Sequence, residues 1–119
     1  MLSNKQKLDI LIPKGLRLLA ERTEKEVPAA GRFMAISVSF DYPGTNYQAI
    51  LRVEPSARGD GTERCLRSYM RENGSDKAVS HYLYTGSKEK ILAWLKDKQS
   101  EKELRESYAQ LKQSVDNFE

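Results

Sequence analysis

The chain contains a single cysteine, Cys65, and a single histidine, His81, two residue types that commonly act as nucleophile and base. A thiol–imidazole pair requires the two side chains to lie within hydrogen-bond reach of each other. The strand patterning described below places Cys65 on the outer face of a sheet and His81 on its inner face. We therefore expect no catalytic dyad. His81 is expected to be a mostly buried histidine at a strand or helix contact, and Cys65 a small side chain without a chemical role.

Metal and cofactor sites also find little support in the residue types. A zinc site uses about four Cys, His or carboxylate ligands, and one cysteine with one histidine cannot build the usual sets. The sequence contains no paired aspartates of the Asp-x-Asp type, no P-loop, no dinucleotide-binding glycine motif and no nucleophile elbow. Nothing in it singles out two of the seventeen acidic side chains as a catalytic pair. We expect no metal, no cofactor and no enzymatic activity.

Arginines and tyrosines recur in the central segments at alternating positions, which places them on one face of a sheet. Both residue types are enriched in the energetically dominant parts of protein interfaces, because they combine contact area with hydrogen bonding. The same residue types can stack single-stranded bases and contact phosphates. A terminal helix covering this face, with the tyrosines as ordinary packing, is the competing interpretation. The predicted partner-binding residues are Arg52, Arg67, Tyr69, Arg71, Tyr82 and Tyr84.

This assignment of faces depends on the third and fourth strands. Apolar Leu66 and Met70 are expected to point inward from one strand, and Val79 and Leu83 from the next. Opposing these residues across a hairpin, for example Met70 with Val79, keeps both apolar sets on the same side. A slip of one residue would turn one set outward, so the sequence determines the face more firmly than the register.

Four segments have the two-residue period of strands, and turn signals such as Asp-Tyr-Pro-Gly and Asn-Gly-Ser-Asp separate them. Consecutive strands with short loops indicate an antiparallel meander. The predicted strands are residues 33–40, 47–53, 63–71 and 78–84. One side of the first strand carries Met34, Ile36, Val38 and Phe40, and one side of the second carries Ala49, Leu51 and Val53.

An N-terminal helix is predicted over residues 3–27, with Ser3 as its cap. Pro13 interrupts the pattern and predicts either a kink or a second helix that begins at this residue. The apolar stripe of this segment consists of Leu8, Ile12, Leu16 and Leu19.

Two further helices are predicted after the strands. The first begins at Gly86-Ser87 and carries Ile91, Leu92 and Leu95. The second matches a capping box, with Ser100 as the cap and Glu103 reaching back to it. Its apolar stripe consists of Leu104, Tyr108, Leu111, Val115 and Phe118. The fold class is therefore α+β: one domain over residues 1–119, with an N-terminal helix, a four-stranded antiparallel meander and two C-terminal helices packed on the sheet.

Composition limits the classes of function. The 119 residues include 20 basic and 17 acidic side chains, a net charge of +3, and 39% hydrophobic residues. A single cysteine excludes an intrachain disulfide, and no window approaches the roughly 20 apolar residues of a membrane span. No targeting peptide is visible near the first residue, so a cytoplasmic location is expected. The modest charge disfavours nucleic acid, whose binding depends on several phosphate contacts.

We therefore expect a small non-enzymatic protein-binding module that acts as an adaptor or inhibitor and has no membrane partner. An immunity or antitoxin-like role suits such domains only by analogy at the level of fold. The alternative function is binding of single-stranded nucleic acid through the same face. Self-association into a homodimer, through the last helix or an exposed edge strand, is a further alternative.

Overall fold

The computed structural model describes residues 1–116 and confirms the predicted α+β architecture. One helix precedes a four-stranded antiparallel sheet whose strands pair in sequence order, and two helices follow it. The elements are α1 (Asn4–Glu26), β1 (Ile36–Asp41), β2 (Tyr47–Pro55), β3 (Arg64–Glu72), β4 (Ala78–Gly86), α2 (Lys88–Lys96) and α3 (Gln99–Asp116). Within the described residues, none of the helices is long and apolar enough to cross a membrane.

Ser3 caps helix α1, as predicted, and forms a capping box with Gln6 that was not predicted from the sequence. The Gln6 backbone N–H donates to Ser3 Oγ at 3.1 Å, and the Ser3 N–H donates to Gln6 Oε1 at 2.8 Å. Pro13 lies inside one continuous helix, so the predicted second helix beginning there is wrong. Proline removes the hydrogen bond to the Asp9 carbonyl. Burial of the apolar stripe on both sides of Pro13 keeps the two halves in one helix: Leu8, Ile12, Leu16 and Leu19 are all buried.

Helix α2 is capped at Ser87, whose hydroxyl accepts a hydrogen bond from the Lys90 N–H at 3.3 Å. The capping box predicted for α3 is wrong, because the helix begins at Gln99 and Ser100 is buried in its first turn. The Ser100 hydroxyl donates to the Trp94 carbonyl, and the Asp97 carboxylate accepts from the Gln99 N–H at 2.8 Å. The α3 stripe is buried from Leu104 to Val115, and Phe118 lies outside the described residues.

One face of the sheet, which we call the inner face, packs against all three helices. Gly15 of α1 lies beside Val38 and Phe40 of β1. On α3, Ser107 Oγ lies 2.6 Å from Ser68 Oγ of β3. Buried apolar residues of α2 belong to the same core cluster. No helix within residues 1–116 lies on the opposite, outer face, so the interpretation in which a described helix covers that face is wrong.

The first strand begins later than the sequence predicts. Met34 precedes β1 and is 89% exposed, so its predicted place beside Ile36 is wrong. Ile36, Val38 and Phe40 contribute to the core, as expected. On β2 the predicted alternation is confirmed, since Ala49, Leu51 and Val53 are all buried in the core.

The pairing of β3 with β4 contains a bulge that the sequence does not reveal. Met70 opposes Val79, as predicted, and Arg67 opposes Tyr82. The register then shifts, and Leu66 opposes Tyr84. Leu83 is the extra residue, and both Leu83 and Tyr84 pack against the core. The predicted position of Tyr84 on the outer face is therefore wrong.

Candidate functional site

The outer face carries a group of side chains that we call the arginine–tyrosine surface: Arg52 and Glu54 of β2, Arg67, Tyr69 and Arg71 of β3, and Tyr82 of β4. The register brings three of them into a row across the strands. Arg52 opposes Arg67, and Arg67 opposes Tyr82. Five of the six residues predicted from the sequence are therefore on this face, and Tyr84 is the exception.

Two guanidinium groups on this surface lie close to tyrosine rings. The Arg52 guanidinium carbon lies 4.6 Å from the centroid of the Tyr69 ring. The Arg67 guanidinium carbon lies 6.0 Å from the centroid of the Tyr82 ring. Such cation–π contacts stabilise by about 0.5–1 kcal/mol at exposed sites. They also restrict the long arginine side chains, which otherwise have many rotamers.

Glu54 holds the middle of the surface together, and sequence reasoning missed it. Its carboxylate forms a salt bridge with Arg67, with Nε 2.9 Å from Oε1, and accepts a hydrogen bond from the Tyr69 hydroxyl at 3.3 Å. Partial burial, with the Glu54 charge close by, raises the pKa of the Tyr69 phenol. The two-residue period from Arg52 pointed to Glu54, but the sequence ended the strand at residue 53.

The directly opposed arginines show why Glu54 is needed. Like charges opposite each other across a strand pair are destabilising. Arg67 pairs with the Glu54 carboxylate, whereas Arg52 turns to the Tyr69 ring. Each charge therefore has a different neighbour, and both guanidiniums stay on the solvent side of the sheet.

Arg71 stands apart from the two cation–π contacts. Its guanidinium donates to the Gln48 amide oxygen at 2.9 Å, and Gln48 also opposes Asp41 on β1. The outer face thus holds three guanidiniums from the predicted set and the carboxylates of Asp41 and Glu54. Its charge balance is slightly positive.

Cys65 and His81 lie on opposite faces, as the sequence predicts. Cys65 opposes Glu54 and Thr85 on the outer side, whereas His81 opposes Ser68 on the inner side. Cys65 is buried. His81 contacts α3 through Nδ1, 2.7 Å from Ser107 Oγ, but the residue is exposed, so the expectation of a mostly buried histidine is wrong. It lies on an edge strand, so no described strand covers its outer side.

Two grooves lie away from the arginine–tyrosine surface. One, of about 520 Å³, separates α1 from α2 and the start of α3, and Leu16, Ala20 and Leu95 contribute to its wall. The other, of about 540 Å³, lies beside the β3–β4 turn and includes Tyr47 and Val79. Neither His nor Cys occurs among the described residues that line them. In residues 1–116, no three His, Cys, Asp or Glu side chains lie together in a way that could hold a metal ion.

Comparison with known proteins finds no matching family model, no matching curated protein and no matching solved structure.

Proposed function

We propose that this chain is a small non-enzymatic protein-binding module, an adaptor or inhibitor acting in the cytoplasm, that docks its partner on the arginine–tyrosine surface. The observation that carries the proposal is a sheet face without a covering helix on which guanidiniums lie close to phenol rings. Arginine and tyrosine are enriched among residues that dominate binding energy, whereas lysine and glutamate are depleted.

The ordering of this surface before binding supports the proposal. Glu54 fixes Arg67 and Tyr69, and the Tyr69 ring fixes Arg52. Side chains that are already ordered lose less conformational entropy when a partner binds, and each immobilised long side chain otherwise costs about 0.5–1.5 kcal/mol. Ile50 lies on the same face opposite Tyr69 and is buried, so it packs beneath the polar side chains of this surface.

The charges favour a partner with an acidic surface. Arg52 has its aromatic neighbour Tyr69 and no carboxylate within salt-bridge distance among the described residues. A guanidinium can donate two parallel hydrogen bonds to one carboxylate, which adds direction as well as energy. We infer that an acidic side chain of the partner pairs with Arg52 while an apolar side chain covers the Tyr82 ring.

Single-stranded nucleic acid is the weaker candidate. Stacking of bases needs open aromatic faces. The Arg52 guanidinium lies 4.6 Å from the Tyr69 ring centroid and the Arg67 guanidinium lies 6.0 Å from the Tyr82 ring centroid, so each ring already has a guanidinium over one face. Tyr82, 52% exposed, is the more open of the two rings. The Glu54 carboxylate would also repel phosphates in the middle of the same surface.

The proposal is tested by affinity capture, followed by identification and purification of the captured protein. Arg52→Ala and Tyr82→Ala are expected to weaken its binding by at least about tenfold each. Arg17→Ala is the matched control, because it removes an exposed arginine from α1 on the other side of the sheet. Equal loss of binding in Arg17→Ala, or none in Arg52→Ala and Tyr82→Ala, would contradict the proposed surface.

A labelled single-stranded oligonucleotide tests the alternative function. Binding at low salt that weakens as salt rises, and that disappears in Arg67→Ala or Tyr69→Ala, would replace protein binding by nucleic-acid binding. No binding at low salt would remove the alternative.

A further inference from the structure

Strand β4 forms one edge of the sheet and lacks the usual protection of an edge. It spans nine residues, Ala78–Gly86, and its sequence AVSHYLYTG contains neither a charged residue nor proline. Natural edge strands commonly carry lysine or proline, because their open N–H and C=O groups otherwise pair with another chain. The one protective device in β4 is the bulge at Leu83, which leaves residues 78–82 regular.

The opposite edge, β1, is protected. It is shorter, with six residues, and ends in Asp41. The Arg22 guanidinium donates to the Ser37 carbonyl at 2.6 Å, which occupies an acceptor on that edge. The two edges of the sheet therefore differ in their availability to another strand.

The direction of the backbone groups of β4 follows from two observations. The Asn73 N–H donates to the Asn46 carbonyl, so the backbone groups of Asn73 face the β2 side. The N–H and C=O groups of successive residues alternate in direction along a strand. Ser68 lies five positions before Asn73, so its N–H and C=O groups face β4. The His81 carbonyl lies 3.4 Å from Ser68 Oγ, which places the His81 groups on the β3 side. The N–H and C=O groups of the neighbouring residues Ser80 and Tyr82 therefore point away from β3.

The outward-pointing backbone groups are those of Ala78, Ser80 and Tyr82. Within residues 1–116, no hydrogen bond from another element reaches them. Helix α3 contacts His81 on the inner face through Ser107, yet Ser80, His81 and Tyr82 are all exposed, so the edge itself is not covered by a described element. The edge is open from both sides of the sheet.

We propose that β4 pairs antiparallel with β4 of a second copy of this chain, about a two-fold axis at Ser80, to form one continuous eight-stranded sheet. The register follows from the outward-pointing residues: Ser80 opposes Ser80 of the second copy, and Ala78 opposes Tyr82. This is the register that uses all of the open groups between Ala78 and Tyr82 in ladder hydrogen bonds.

A second copy fits this edge because the strand is complementary to itself. A charged strand would place like charges opposite each other in a two-fold pair, and β4 carries none. On the outer face, the large Tyr82 ring lies beside the small Ala78 side chain. In the two-fold pair the β4 edges of both copies are hydrogen-bonded to each other, and the protected β1 edges do not pair with a further strand. The assembly is therefore a closed dimer. The argument for this dimer rests on the backbone of β4 and not on the proposed function, although Tyr82 belongs to both surfaces.

Sedimentation across a wide range of protein concentrations tests the proposal, together with amide hydrogen exchange. A monomer–dimer equilibrium is expected, with the Ser80 and Tyr82 amides more protected as the dimer forms. Ser80→Lys should raise the dimer dissociation constant by about tenfold or more, since it opposes two lysines at the axis. Ser39→Lys is the matched control, because Ser39 is the exposed serine on the outer face of the other edge strand.

Ser80→Pro provides a second test, because it removes an outward N–H without removing a hydrogen bond to β3. It should also weaken the dimer, while circular dichroism reports a retained fold. A chain that stays monomeric at every concentration overturns the proposal. So does a dimer whose Ser80 amide stays unprotected, or one that Ser39→Lys weakens as much as Ser80→Lys.

Discussion

Tyr108 connects helix α3 to the middle of the sheet, and its removal tests how the helix is held there. The ring is 0% exposed and packs edge-on against Phe40, with centroids 5.7 Å apart. Its hydroxyl donates to the Ile50 carbonyl at 2.7 Å. Tyr108→Phe removes this buried hydrogen bond and leaves the ring in place. We expect the free energy of unfolding at pH 7 to fall by about 1–2 kcal/mol.

The same substitution has a signature at alkaline pH. Burial raises the pKa of the Tyr108 phenol, with Tyr42 adding a smaller electrostatic effect. In the unfolded chain a tyrosine titrates near pH 10. Above that pH the unfolded chain releases a proton that the folded chain retains, so the folded state loses about 1.4 kcal/mol per pH unit from this group. Below about pH 10 both states hold the proton, and this group gives no pH dependence.

Urea unfolding at neutral and alkaline pH measures both effects. Tyr108→Phe should begin less stable at pH 7 and lose less stability above about pH 10 than the unchanged chain. Tyr82→Phe is the control: Tyr82 is exposed, and its hydroxyl has no hydrogen-bond partner among the described residues. Parallel pH profiles for Tyr108→Phe and the unchanged chain, or equal losses at pH 7 for both variants, would refute this account of α3 docking.

Two further substitutions test the core and α1 by the same unfolding measurement. Arg64→Ala should lower the free energy of unfolding by about 3 kcal/mol or more, because the buried guanidinium donates to the Pro28 and Gly61 carbonyls and lies over the Phe33 ring. A decrease within about 0.5 kcal/mol, as for a surface site, would contradict this. Pro13→Ala should stabilise the protein by about 1–3 kcal/mol, because it restores a donor to the Asp9 carbonyl inside a continuous helix; a loss of stability would show that the proline ring contributes more by packing.

The parts of the fold that the sequence predicts are those where burial follows a simple period. Ala49, Leu51 and Val53 alternate on one central strand, and no other period accommodates them. The bulge has no such signal, because both Leu83 and Tyr84 are apolar enough to accept either face. The position of the extra residue in β4 opposite Leu66 depends on packing in the assembled core. The alternation within a single strand gives no information about it.

The sequence also did not determine which of several polar residues caps a helix or continues a strand. Ser100 and Asp97 are both good caps, and the first turn of α3 is decided by the tertiary burial of Ser100 against the Trp94 carbonyl. The predicted second strand ends at residue 53, whereas β2 continues through Glu54 to Pro55. The face of the candidate site was therefore predictable from alternation. The carboxylate that organises it was not, since its role depends on cross-strand contacts.

The bulge gives the two halves of β4 different roles, and this separates the two proposals experimentally. Before the bulge, Tyr82 faces the solvent at an open edge; after it, Tyr84 enters the core. In the proposed dimer the outer faces of both copies become continuous, so Tyr82 contributes to the arginine–tyrosine surface and also lies beside the two-fold axis. Tyr82→Ala therefore affects both partner binding and self-association. Arg52→Ala acts on partner binding alone. Ser80 opposes Tyr69 on the outer face, so Ser80→Pro, which adds no charge beside that ring, is the variant that isolates the dimer contact. A partner that binds wild-type and Ser80→Pro chains equally requires only one copy of the surface.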